Sequence, residues 1–148
     1  MTAILIDTNV LVYAHDRNEH VKQGQAINTL AALQSSGTGR LSVQCLAEFF
    51  AATTRGPRPK LSLEQASQQM EYFSRAFQVY DLTPMIALEA ARGVRDHSLS
   101  YFDAQIWATA RLNQLPLVFS KDFSSGMILE GVRFVDPFAP DFVTEDWT

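Results

Sequence analysis

The 148-residue chain is 47% hydrophobic and 19% charged, a balance that suits one globular domain with a real core and excludes disorder. Its formal charge of −4 and pI near 5.3 exclude strong, sequence-blind nucleic-acid binding through bulk charge; a local basic patch, or metal ions at an acidic site, would have to do that work. A single cysteine, Cys45, excludes an internal disulfide. It sits in Val43-Gln44-Cys45-Leu46-Ala47 and reads as a small buried hydrophobe. No apolar run approaches the roughly 20 residues of a membrane helix. The start of the chain lacks the basic region of a signal peptide, so a soluble protein of a reducing, cytoplasmic compartment is expected.

The chain begins with a hydrophobic strand, Ala3-Ile4-Leu5-Ile6, that runs straight into Asp7-Thr8-Asn9. A short helix is predicted over Val10 to Asp16. A second runs over Glu19 to Gln34, with apolar Ala26, Ile27, Leu30, Ala31 and Leu33 at helical spacing. Arg40 to Val43 reads as a short strand. Leu46 to Thr54 reads as a helix, stopped before Gly56-Pro57. The stiff basic loop Thr54-Arg55-Gly56-Pro57-Arg58-Pro59-Lys60 follows, expected as an exposed arm beside a site. Ser62, with Gln65 three residues on, forms a capping box opening a helix to about Phe77. Its aromatic run, Tyr72, Phe73 and Phe77, suits core packing or a partner.

Gln78 to Leu82 is the next strand. Pro84 stands in the first turn of a helix reaching about Asp96, and Ser100 starts another that ends near Asn113. Leu117 to Phe119 and Val132 to Val135 are the last strands. Strands alternating with helices predict a single α/β domain over 1–148 with a mostly parallel sheet. The nearly unbroken apolar character of the first, fourth and fifth strands fits coverage on both faces.

Four acidic residues stand where apolar elements end or are interrupted. Asp7 follows the first strand and Asp122 follows Leu117-Val118-Phe119-Ser120-Lys121. Glu48 interrupts Leu46-Ala47-Glu48-Phe49-Phe50, and Asp103 opens the helix Ser100-Tyr101-Phe102-Asp103-Ala104. Capping or turn roles are open to Asp7, Asp103 and Asp122. Glu48 has no such reading, because its helix offers no wide polar face. Carboxylates in such settings need partners, and ligand sites of open parallel sheets form at the carboxyl ends of strands. If the four converge, the partner satisfying several at once is a hard divalent cation, Mg²⁺ or Mn²⁺, suited to hydrolysis of phosphodiesters. His15, His20 and His97 are isolated, which argues against zinc. Motifs for nucleophile-elbow hydrolases, P-loop enzymes and dinucleotide binding are absent.

Four segments in order, Ile4-Leu5-Ile6-Asp7-Thr8-Asn9-Val10-Leu11, Leu46-Ala47-Glu48-Phe49, Leu99-Ser100-Tyr101-Phe102-Asp103-Ala104 and Phe119-Ser120-Lys121-Asp122-Phe123, make the chain resemble a PIN domain. Within that family it is most similar to the VapC-type toxin ribonucleases of toxin–antitoxin pairs. The resemblance implies a three-layer α/β/α fold and metal-dependent endonucleolytic cleavage of RNA. It implies that Asp7, Glu48, Asp103 and Asp122 form the catalytic, Mg²⁺- or Mn²⁺-holding set, with Thr8, Asn9 and Ser120 as supporting polar residues. It also implies a homodimer and a cognate antitoxin protein. Lys121 departs from the family pattern and would contact RNA phosphate or weaken a second metal site. Arg55, Arg58 and Lys60 are candidates for steering the RNA backbone, with a merely solvated, solubilising loop as the slightly favoured alternative. The alternative is a non-catalytic PIN-like module that binds RNA or protein.

Overall fold

The computed structural model of the chain describes residues 2–148. Among them, six strands form one sheet: β1 (Ile4–Ile6), β2 (Gly39–Ser42), β3 (Gln78–Tyr80), β4 (Leu117–Phe119), β5 (Ile128–Leu129) and β6 (Val132–Val135). Their spatial order is β3-β2-β1-β4-β6-β5. All neighbours run parallel except the β5–β6 hairpin. Six α-helices join them: α1 (Thr8–Tyr13), α2 (His20–Ser36), α3 (Val43–Thr54), α4 (Leu63–Ala76), α5 (Pro84–His97) and α6 (Tyr101–Leu112).

The order explains the layers. From β1 the chain steps outward to β2 and β3, then returns to the other side of β1 with β4. Right-handed crossovers in opposite directions place their helices on opposite faces. The packing agrees: α1 touches α2 and α3, and α3 touches α4, whereas α5 packs chiefly on α6. The expected α/β/α sandwich is the observed one. The central strands β1 and β4 are buried throughout, as two-sided coverage requires.

Element ends differ from the sequence expectation where capping decides them. Ser42 accepts from the Cys45 amide at 3.2 Å, so β2 stops at Ser42 and α3 begins at Val43, a turn before Leu46. Asp7 caps α1, so that helix starts at Thr8. Gly37, in the left-handed conformation at φ 73°, closes α2. β3 ends at Tyr80 because its partner β2 ends opposite it. The capping box of Ser62 and Gln65 is present, and Thr83 caps α5 ahead of Pro84. Phe73 and Phe77 enter the core, while Tyr72 is half exposed and reaches Gln34 on α2.

β5 is absent from the sequence expectation. It is two residues long and is defined by the turn Glu130-Gly131, both at positive φ (48° and 84°), the signature of a primed hairpin turn. Glu130 also takes Arg92 and His97 by hydrogen bonds of 2.9 and 2.6 Å, which latches the hairpin to α5. Beneath it, Trp107 is fully buried and donates its indole N–H to the Leu129 carbonyl at 3.2 Å. Its ring lies against Gly93, where an added Cβ would come within 2.9 Å.

Candidate active site

In the sheet, β1 has β2 on one side and β4 on the other. The connection from β1 runs to one side, to β2, while the connection from β3 returns to its other side at β4, and the crevice that opens at such a switch in direction lies beyond the strands' carboxyl ends. Register pairs Ile6 with Phe119, so the residues that follow, Asp7 and Ser120, emerge side by side. The Asp7 amide donates to the Phe119 carbonyl at 2.9 Å. The Asp7 carboxylate is 5% exposed. It accepts from the Thr8 amide at 2.7 Å, so its capping role is real, and from the Ser120 hydroxyl at 2.7 Å. Asn9 braces the pair, its amide nitrogen 3.2 Å from Ser120 Oγ and 3.5 Å from Asp7 Oδ2.

Burial pushes the Asp7 carboxyl up to about 7, against the hydrogen bonds from Ser120 and Thr8, and the nearby charges of Asp122 and Glu48 push the same way. Burial likewise raises the Cys45 thiol behind it to about 12, so Cys45 is the inert core residue its sequence setting predicts.

Glu48 stands half-buried on α3 and points at the crevice. Thr8 Oγ1 donates to it at 2.8 Å, and Gln44 Nε2, one turn back, at 3.3 Å. Gln44 is buried and also donates to the Phe102 carbonyl at 3.0 Å, while accepting from Gln105 at 2.9 Å. It therefore ties α3 to the first turn of α6, where Asp103 sits. Sequence reasoning missed Gln44. Its place four residues before Glu48 within an apolar helix is the one signal that points to it.

Asp103 and Asp122 join Asp7 and Glu48 in the lining of one cleft of about 440 Å³. Ser100 makes no side-chain cap, so a capping-box role for Asp103 is not what the structure contains. Asp122 is exposed, and its amide bonds Ser120 Oγ at 3.1 Å. Asp16, another residue the sequence did not single out, also lines the cleft, 4.0 Å from Lys60. Arg55 and Lys60 line it too, so the basic loop does border the site. Arg58 and Lys121 are exposed and lie outside the lining; Lys121 touches the site only through its amide, bonded to Asn9 Oδ1 at 3.2 Å. Ser120 is fully buried, which makes it a brace for Asp7 and Asp122 rather than a surface for ligand.

None of Asp7, Glu48, Asp103 or Asp122 forms an ion pair among the described residues. Acidic oxygens without a direct ion-pair partner, one of them forced towards protonation, are of the type a hard cation takes as ligands. As the side chains stand, no group of three His, Cys, Asp or Glu among the described residues is placed to hold a metal ion. The histidines take other roles. His15 packs on Phe49 and Phe73, and burial lowers its pKa; His97 pairs with Glu130; His20 opens α2 at the surface.

A family model described as the PIN domain matches residues 4–124. No curated protein matches the sequence. Among solved structures, a toxin–antitoxin complex from Klebsiella pneumoniae is 20% identical, covering 91% of this chain and 98% of that one at a TM-score of 0.65. VapBC2 from Rickettsia felis, bound to a DNA fragment from its promoter, is 14% identical over 90% and 97%, at 0.66. VapC20 of Mycobacterium tuberculosis, described as a Sarcin-Ricin loop cleaving toxin, is 19% identical over 88% and 99%, at 0.64.

Proposed function

Because the chain belongs to the PIN domain family, we propose that it is a Mg²⁺- or Mn²⁺-dependent endoribonuclease, the toxin of a toxin–antitoxin pair. The observation that carries this reading is the cleft itself: Asp7, Glu48, Asp103 and Asp122 line it from four separate elements, and none of them is ion-paired although Arg55 and Lys60 border the same cleft. Uncompensated carboxylates at a strand-end crevice are costly and serve function more readily than stability. Likeness to toxins from several bacteria supports the toxin assignment.

In this reading Asp7, Glu48, Asp103 and Asp122 hold the cation. When bound, it would supply charge relief on phosphate and an acidified water. Thr8 and Gln44 fix the Glu48 carboxylate, and Ser120 and Asn9 fix that of Asp7. Such braces of ligands are worth about 10- to 100-fold in affinity or activity. Arg55 and Lys60 bind backbone phosphate from the rim, while Arg58 and Lys121 contribute to attraction from farther out. Single-stranded or loop RNA is the natural substrate, since its backbone bends into a narrow cleft. A cognate antitoxin and a second copy of the chain are the partners this assignment brings with it.

The test is cleavage of a structured RNA pool by purified, antitoxin-free protein with Mg²⁺ or Mn²⁺, in parallel with EDTA and with Asp7→Asn. Cutting that disappears in both controls is expected. RNA bound but never cut by folded protein would replace the nuclease with a binding module.

A further inference from the structure

We propose that the Phe102 ring is a stacking platform for one unpaired base of the RNA strand that crosses the carboxylate cleft, an inference that rests on the RNA-binding part of the reading above. Phe102 lines the same cleft as the four acids and is 61% exposed. Most of this ring is open to the charged site, and its side chain has no polar atom of its own to solvate there. Its backbone is nevertheless held: the carbonyl accepts from buried Gln44, and the ring meets Tyr101 edge-on, with centroids 5.2 Å apart at 84°. The backbone that carries the ring is thus held at the start of α6, one residue from Asp103.

The rest of the lining selects the ligand. Arg55 and Lys60 stand in the same cleft, so a ligand with both an aromatic face and backbone anions is matched on two counts. An unpaired nucleotide has both, whereas a paired base keeps its faces stacked within the helix. Phenylalanine carries no hydrogen-bonding group, so this contact would anchor a base without reading which base it is.

The experiment uses short single-stranded RNAs carrying 2-aminopurine at successive positions, bound with Ca²⁺ in place of Mg²⁺, alongside Mg²⁺ cleavage of the same RNAs. Wild type should quench the fluorescence at one position. Phe102→Leu should lose that quench and bind about tenfold more weakly or worse, while Phe102→Trp restores both. An abasic site at the quenched position should slow wild type and leave Phe102→Leu unchanged. Unaltered affinity and quench in Phe102→Leu would overturn the platform and leave cleavage and the nuclease reading intact. RNA that is bound and quenched but never cut would keep the platform and end the nuclease reading. Wild type that neither binds nor cuts RNA would overturn both.

Discussion

The Ser120 hydroxyl donates to Asp7 Oδ2 at 2.7 Å, joining the loop after β4 to the loop after β1 across 113 residues of chain. This bond lowers the cost of keeping Asp7 ionised. Ser120→Ala should therefore raise the Asp7 pKa further and move the acid limb of a cleavage pH profile to higher pH. The stability cost of leaving a buried acceptor short of its donor is about 1–3 kcal/mol. Urea denaturation and the pH profile measure the two effects separately. A variant with an unmoved acid limb would show that the bond does not tune Asp7.

Metal-free protein should lose stability as pH rises through the Asp7 transition. The carboxyl titrates near 7 when folded, against 3.8 for an ordinary Asp. Between those values the native state binds the extra proton, so this group's contribution to stability falls with rising pH, from about pH 4 until it levels off above about 7. The loss amounts to a few kcal/mol. Asp7→Asn removes this dependence. Unfolding midpoints of both proteins in EDTA at pH 5 and pH 8 provide the check: a wild-type-minus-variant difference that stays flat with pH would rule the effect out.

Gln44→Leu should impair cleavage more than its loss of stability explains. The leucine keeps the helix and the packing volume but frees Glu48 and the start of α6 together. A fall of about tenfold or more in activity is expected for a lost brace. Metal affinity, read by calorimetry, should weaken in parallel. Full activity in Gln44→Leu would mean that Thr8 alone suffices to hold Glu48.

Gly93→Ala tests the packing of α5 on α6. On an exposed helix the change would gain about 1 kcal/mol. Here the new methyl meets the Trp107 ring at 2.9 Å, so overpacking of about 1–3 kcal/mol should win. Thermal unfolding should show a lowered midpoint, with the Trp107 environment altered in near-ultraviolet circular dichroism. A raised midpoint would mean that Trp107 shifts at little cost.

Much of this was legible in the chain because the relevant signals are local. β1, β4 and β6 are short apolar runs, and the acids at their ends stand out by contrast. Asp7 and Asp122 stand out because they follow such runs, Glu48 because it interrupts an apolar helix and Asp103 because it opens one, and the structure brings all four to one cleft. What stayed hidden depends on partners far apart in sequence. Gln44 has significance only once α6 lies across it, and β5 exists only because β6 pairs with it. Strand and helix ends were misjudged wherever one capping side chain, such as Ser42, outweighed the propensity of its neighbours.

The placement of β4 beside β1 also governs when the acidic cleft is assembled. A chain synthesised from its amino end makes Asp7 early, but β1 keeps one edge unpaired until Leu117–Phe119 has been made. Ser120, which braces Asp7, and Asp122, which completes the cleft, arrive later still. The acidic cleft is therefore complete only once the segment from Leu117 onward has been made and β4 has docked on β1.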